Sequence, residues 1–159
     1  MFYHRLGTIP PKRHIQFRQP DGSLYNEEVV SSEGFSGIYS TLYHIHPPTR
    51  IRKMLDPVPF ATRPLKEYAL RQTHLNTSKV ETTGEDFLSA RKVLLTNSDC
   101  SIAICTPASR KMNFYYKNAE GDEVIFIHDG NGTLFSPFGK LEVRQGDYVV
   151  IPRTVIYRF

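Results

Sequence analysis

Tryptophan is absent from the 159-residue chain and cysteine occurs only twice. No apolar run approaches the roughly 20 residues of a membrane span, so a helical anchor and a membrane partner are excluded from the reading. The opening MFYHRLGTIPPKRH has no apolar core of the kind a secretory signal carries. A cytoplasmic location is therefore expected. The two cysteines, Cys100 and Cys105, fall in the strand-like stretch DCSIAIC. Five positions apart on a strand, they face opposite sides and lie roughly 16 Å apart. A disulfide needs Cα atoms within about 7 Å, so they neither bridge nor share a metal there. Small thiols in a reducing compartment are the expectation.

What the chain does have is ten Phe and nine Tyr, with 40% hydrophobic and 23% charged residues. That balance suits one domain with a real, aromatic, β-rich core. Net charge is +4, and Arg5, Lys12, Arg13 and Arg18 precede the first acidic residue, Asp21. With Phe2, Tyr3 and Phe17 as stacking groups, such a segment has the composition of a nucleic-acid binder. The simpler reading is an arm whose charges are solvated or lie on the protein's own assembly. No nucleic-acid partner is expected.

Residues 1–84 read as an N-terminal arm, a hairpin and an irregular insertion. Pro10, Pro11 and Pro20 exclude a regular helix at the start. His14–Arg18 and Leu24–Val30 are expected to pair across the turn Pro20-Asp21-Gly22. Ile38–His46 is strand-like and stops at Pro47-Pro48. His44 and His46 share a strand face, as two metal ligands would. No further histidine lies near in sequence, so packing or hydrogen bonding is the preferred role. Arg50–Leu55 is read as an irregular turn, Pro64–Leu70 as a short helical turn and Leu75–Glu81 as a strand. Residues 50–82 are too long for a plain loop and are expected to pack on a neighbouring domain or subunit.

Residues 85–159 read as one β-barrel. Ser89–Thr96, Cys100–Thr106, Met112–Lys117, Glu123–His128, Gly132–Ser136, Lys140–Val143 and Tyr148–Pro152 are strand candidates. Turn residues separate them, which argues for a sandwich or barrel. The stretch EVIFIHDG, with Glu123 and Gly130, resembles the second half of the first cupin motif. Gly146 and Pro152 resemble the start of the second motif. The histidines of the first motif should stand near Tyr116 or Lys117 and near Asn118 or Ala119. Thr154 stands where the second motif has glycine, and Tyr157 where it has its last ligand. A non-haem iron site needs imidazoles beside a carboxylate, with positions left open. Here only Glu123 remains, and His128, five residues on, faces the other side of its strand. The implied fold is all-β, a cupin-like jelly-roll or double-stranded β-sandwich with an extended N-terminal arm. It is read as incomplete at the C-terminus, because Phe159 ends a strand-like VIYRF whose edge would lack a partner.

Two long stretches carry a closer resemblance. FYHRLGTIPPKRHIQFRQPDGSLYNEEVVSSEGFSGIYSTLYHIHPPT is similar to the opening of the homogentisate 1,2-dioxygenase family, and FYYKNAEGDEVIFIHDGNGTLFSPFGKLEVRQGDYVVIPRTVIYRF to that family's non-metal cupin half. The resemblance implies an Fe(II)- and O2-dependent ring-cleaving dioxygenase. It would convert homogentisate, a small aromatic acid, to maleylacetoacetate in tyrosine and phenylalanine catabolism, within a trimer-based homo-oligomer. It also implies that the iron ligands lie in a C-terminal cupin half beyond Phe159. On this reading the chain holds no cofactor and no catalytic residue, is inactive alone, and has that half as its missing partner. Glu123 and Tyr157 are then degenerate metal positions, with His44 and His46 as weak metal candidates. The alternative is a stand-alone, metal-free binding module that takes a small organic acid or sugar through Glu123, Tyr116, Tyr157 and arginines.

Overall fold

The computed structural model describes residues 16–31, 33–58, 72–81, 83–109 and 111–159. The elements are β1 (Asn26–Ser31), β2 (Tyr39–His44), β3 (Arg91–Thr96), β4 (Ser101–Cys105), β5 (Tyr116–Lys117), β6 (Glu123–Phe126), β7 (Asn131–Ser136), β8 (Gly139–Arg144), β9 (Tyr148–Ile151) and β10 (Ile156–Tyr157). No α-helix occurs among the described residues, and the all-β, cupin-like expectation holds. The sheets are small and unclosed, each an antiparallel pair. Contacts group the described residues of 1–55 and 115–158 as one unit and those of 56–114, with Phe159, as a second.

In the first unit β6 pairs with β9, β7 with β8, and β5 with β10. A bridge between Phe135 and Arg158 carries β10 onto β7, with backbone hydrogen bonds of 2.9 and 3.0 Å. The Arg158 guanidinium lies over the rings of Tyr115 and Phe135, 5.0 Å from each centroid, so cation–π attraction reinforces the join. Alternation decides which residues turn inward. Leu134, Val143, Val149, Ile151 and Tyr157 are buried, and Glu123, Ile125 and Ile127 lie half-buried along β6 and just beyond it. Val124, Phe126 and His128 alternate with them on the exposed side. Gly130 and Gly146, the motif glycines, both have φ near +90°, where a side chain would strain the turn.

Thr154 is the exception to that rule. It closes the Pro152–Val155 turn at φ +71°, the sign a type II turn demands of its third residue. The backbone here holds a conformation suited to glycine under a β-branched side chain. Thr154→Gly should raise stability by about 1 kcal/mol, the left-handed cost of a side chain less the extra freedom glycine gains when unfolded. The substitution leaves the 2.6 Å hydrogen bond from the Thr154 amide to the Asn118 carbonyl in place. A shift of the urea midpoint to higher concentration at constant slope checks this; an unchanged or lower midpoint contradicts it.

In the arm region, where His14 and Ile15 lie outside the described residues, Arg18 and Leu24 pair antiparallel across the expected turn. The Gln19 amide donates to the Ser23 carbonyl and the Tyr25 amide to the Phe17 carbonyl. Asp21 accepts hydrogen bonds from the Ser23 amide and hydroxyl. Those bonds hold the Asp21 carboxyl below its ordinary range. Beyond Tyr25 the chain pairs as β1 with β2, in register from Asn26 opposite His44 to Ser31 opposite Tyr39, six residues on each side without a proline. Phe17 packs against Tyr43 at 4.6 Å, and Arg18 donates to Gly22 and Gln16. These two members of the basic, aromatic stretch are thus engaged within the unit. Arg5, Lys12, Arg13, Phe2 and Tyr3 lie outside the described residues.

The second unit is built on the β3–β4 hairpin. Its turn is the expected Asn97-Ser98-Asp99, where the Asn97 side chain accepts hydrogen bonds from the amides of Asp99 and Cys100. A bulge at Leu94 shifts the register between Val93 and Leu95. Ahead of β3, Asp86 caps one tight turn by accepting from the amides of Leu88 and Ser89 and from the Ser89 hydroxyl. Burial opposes ionisation there, but these bonds outweigh it and Asp86 sits below the usual carboxylate range. The turn buries Leu88 and Ala90. Leu75–Glu81 is not a strand: Thr77–Lys79 forms one 3-10 turn, because the Asn76 side chain accepts from the Ser78 amide and hydroxyl and starts it. The helical turn expected at Pro64–Leu70 lies outside the described residues.

Candidate functional site

The pairing of β5 with β10 sets Tyr116 opposite Tyr157, and their rings meet edge to face at 5.7 Å. Glu123 starts β6 on its inward side, opposite Ile151 of β9. The Tyr157 hydroxyl donates to a Glu123 carboxylate oxygen at 2.5 Å. Tyr157 is fully buried and is the largest fully buried side chain of the described residues. Three positions singled out from sequence thus converge: the retained carboxylate, the replacement for the last imidazole, and one candidate for the first.

The loop before β6 is stitched to the turn before β10. Asn118 uses its side-chain oxygen to accept from the amides of Glu120 and Gly121, and its carbonyl to accept from Thr154. Asp122 accepts from the Arg153 amide at 2.8 Å, and its carboxylate lies 3.7 Å from that guanidinium. Asn118 and Asp122 therefore act on backbone, which fixes the loop.

This donor set does not fit Fe(II). An open iron site needs several unprotonated donors aimed at one point. Here a tyrosine proton is already directed at the carboxylate, and among the described residues no group of three His, Cys, Asp or Glu could hold a metal ion. The arrangement can orient a buried ring and satisfy a carboxylate on the inner face of a barrel. It offers no nucleophile with an adjacent base.

The other sequence candidates are dispersed. His44 is bound to Glu28 by a 2.8 Å contact between Nε2 and a carboxylate oxygen, on one face of the β1–β2 ladder. His46 follows the strand in an exposed bend. His128 sits on the outer side of the barrel beside Phe126, ring centroids 6.3 Å apart, opposite to Glu123 as its spacing predicts. Both cysteines are free thiols. Cys100 is exposed, while Cys105 donates to the Phe87 carbonyl and burial pushes its thiol up to about 11.

Sequence reasoning missed a half-open apolar groove of about 290 Å3 in the same unit. Leu134, Ser136, Phe138, Leu141, Val155 and Tyr157 contribute to its wall. Of these only Tyr157 stands out in the sequence. The signal available was alternation: Leu134 and Ser136 are two apart on β7, and Leu141 of β8 stands opposite Leu134.

The chain is 40% identical over 157 residues to a protein of Saccharolobus solfataricus named "Putative dioxygenase". The similarity takes in 99% of this chain and 40% of that relative, so the chain spans about two fifths of the relative's length. No family model and no solved structure matches.

Proposed function

We propose that this chain is the metal-free supporting barrel of an Fe(II)- and O2-dependent ring-cleaving dioxygenase of the homogentisate type. The observation that carries the reading is the 40% identity, sustained over 99% of the chain, to a protein named as a dioxygenase. The Glu123–Tyr157 hydrogen bond fits the supporting role, since it occupies the positions where cupin ligands would converge. Iron, when bound, supplies oxygen activation, and its ligands belong to the part of the relative's length that this sequence does not span. The present chain shapes and braces the neighbouring barrel.

Exposed apolar side chains support burial against other protein. Phe35, Ile38 and Met54 are 84%, 94% and 80% exposed. Val124, Phe126, Tyr148 and Val150 make an exposed face across the paired strands β6 and β9. Such clusters mark interaction surfaces more often than solvent-facing ones. A second cupin half and further copies of the chain in a trimer-based assembly, in the cytoplasm, are the partners proposed.

Oxygen uptake tests the proposal. With homogentisate and Fe(II), the 159-residue chain should consume no oxygen above the protein-free blank. A chain extended to the relative's length should turn over and yield maleylacetoacetate. Uptake by the 159 residues alone would overturn the metal-free assignment, and an inert extended chain would overturn the substrate.

A further inference from the structure

We propose that residues 45–55 form a basic strap that docks on the acidic outer face of the β1–β2 hairpin of a second copy of this chain. The contact belongs to the proposed assembly of several copies and rests on that reading, while needing none of the dioxygenase chemistry. Charge is sorted along the sequence. Between Gln19 and Thr49 the charged side chains, histidine aside, are Asp21, Glu27, Glu28 and Glu33, all acidic. Arg50, Arg52 and Lys53 then fall within four positions.

The hairpin offers a mixed acidic and apolar face. Alternation puts Glu27 opposite Tyr43, Val29 opposite Thr41 and Ser31 opposite Tyr39 on one side of the ladder. Glu27, Val29, Tyr39, Thr41 and Tyr43 are all exposed. Glu28 lies on the other side and is bound to His44. Glu33 stands in the exposed bend after β1, two residues before Phe35, whose ring meets Tyr39 edge to face at 6.4 Å. None of the described residues from 16 to 55 is buried. A lone two-stranded hairpin is marginal in water, so this one needs cover from other protein.

The strap carries the matching groups. Pro47 and Pro48 end the strand-like run, and every residue from 45 to 55 is exposed. Ile51, Met54 and Leu55 interleave with the three cations. Among the described residues, the charged groups of Arg50, Arg52, Lys53, Glu27 and Glu33 make no hydrogen bond or ion pair. Within one chain, therefore, the strap does not neutralise the hairpin that precedes it. A nucleic acid or an anionic membrane would attract the same cations, but the carboxylates of the hairpin would repel it. A second copy uses both signs and covers apolar groups on each side. Strap and hairpin are different patches, so the contact joins copies head to tail.

Sedimentation velocity of the 159-residue protein over a concentration series tests the contact. The chain should self-associate, and more weakly as salt rises from about 0.05 M to about 0.5 M. Glu27→Lys/Glu33→Lys and Arg50→Glu/Arg52→Glu should each weaken association at least about 10-fold. A chain with all four changes swaps the two signs and should recover the parent's association to within about 3-fold. Association indifferent to either reversal, or a four-change chain as weak as the two-change ones, would overturn the contact and leave the assembly standing. A parent that is monomeric at every concentration would overturn both. Salt-sensitive binding of an oligonucleotide or of phosphatidylserine vesicles that Arg50→Glu/Arg52→Glu abolishes, with self-association intact, would assign the strap to a polyanion instead. Far-UV circular dichroism checks that each variant is folded. Should a variant unfold, the parent's salt series decides: association that salt leaves unchanged or strengthens sinks the contact.

Discussion

Gly84→Ala should lower the unfolding free energy by about 3 kcal/mol, at the upper end of what overpacking does. A Cβ built at Gly84 lies 2.4 Å from the Ala90 amide nitrogen and 2.4 Å from the Ser89 carbonyl carbon. Both are backbone atoms, so no side chain can rotate away to make room. The backbone itself is pinned. Ala90 donates to Asp86, Ala108 donates to the Gly84 carbonyl at 3.1 Å, and Ser109 donates to Glu85. Relief of the clash means parting the turn from the segment it lies on and exposing Leu88 and Ala90, both buried. Gly121→Ala is the matched control, because no atom lies within 4 Å of its added carbon and its φ is not positive. Urea unfolding of the two variants should separate them by at least about 2 kcal/mol. Equal midpoints would show that the Gly84 contact is not a packing constraint.

The contrast between Gly84 and Gly130 shows what was legible in the sequence. Gly130 sits in a motif, after an alternating strand and an aspartate, and its left-handed turn follows from that setting. Gly84 sits in ETTGED, and the backbone that its Cβ would meet is Ser89–Ala90, five and six residues on, brought back by the turn that Asp86 caps; composition does not display that geometry. The strands from β3 to β9 were legible because period-two alternation and Asn-, Asp- or Gly-rich turns bound them on both sides. Their ends were less so: Met112–Lys117 shrinks to Tyr116–Lys117, since the residues before it are bent. The early turn at Pro20-Asp21-Gly22 was legible because its residues are strong local turn formers, whereas the pairing of β1 with Tyr39–His44, eight residues beyond its end, was not. Leu75–Glu81 misleads because one Asn76 side-chain bond decides it, and composition does not display a cap's geometry.

Among the site residues, the resemblance to the cupin motifs named Glu123 and Tyr157 and described them by what they lack. The structure adds that they are bonded to each other. The distance of 34 positions between them hides this from any local pattern. The open groove beside them was invisible for a related reason. Its wall joins β7, β8, β9 and the turn after it, and each contributes residues that look like ordinary core.

Tyr157→Ala should cost about 3–5 kcal/mol, a large share of the 5–15 kcal/mol typical of a domain. The side chain is wholly buried, touches Tyr116 edge to face, and bonds Glu123. Truncation removes all three contributions and leaves a void beside Leu134 and Ile151. Tyr157→Phe separates ring from hydroxyl. It keeps the packing and removes only the donor to the Glu123 carboxylate, so it should cost about 1.5–3 kcal/mol, the range for a hydrogen bond to a charged group. Glu123→Leu removes the acceptor, and the double variant with Tyr157→Phe closes a cycle. If the hydrogen bond between the two stabilises the fold, the double variant should be more stable than the sum of the two single losses predicts, by at least about 1 kcal/mol. An additive cycle, or a Tyr157→Phe variant within about 0.5 kcal/mol of the parent, would mean that the buried ring alone holds this part of the barrel. Coupling would instead show that the Tyr157–Glu123 hydrogen bond, and not burial of the ring alone, joins β10 to β6.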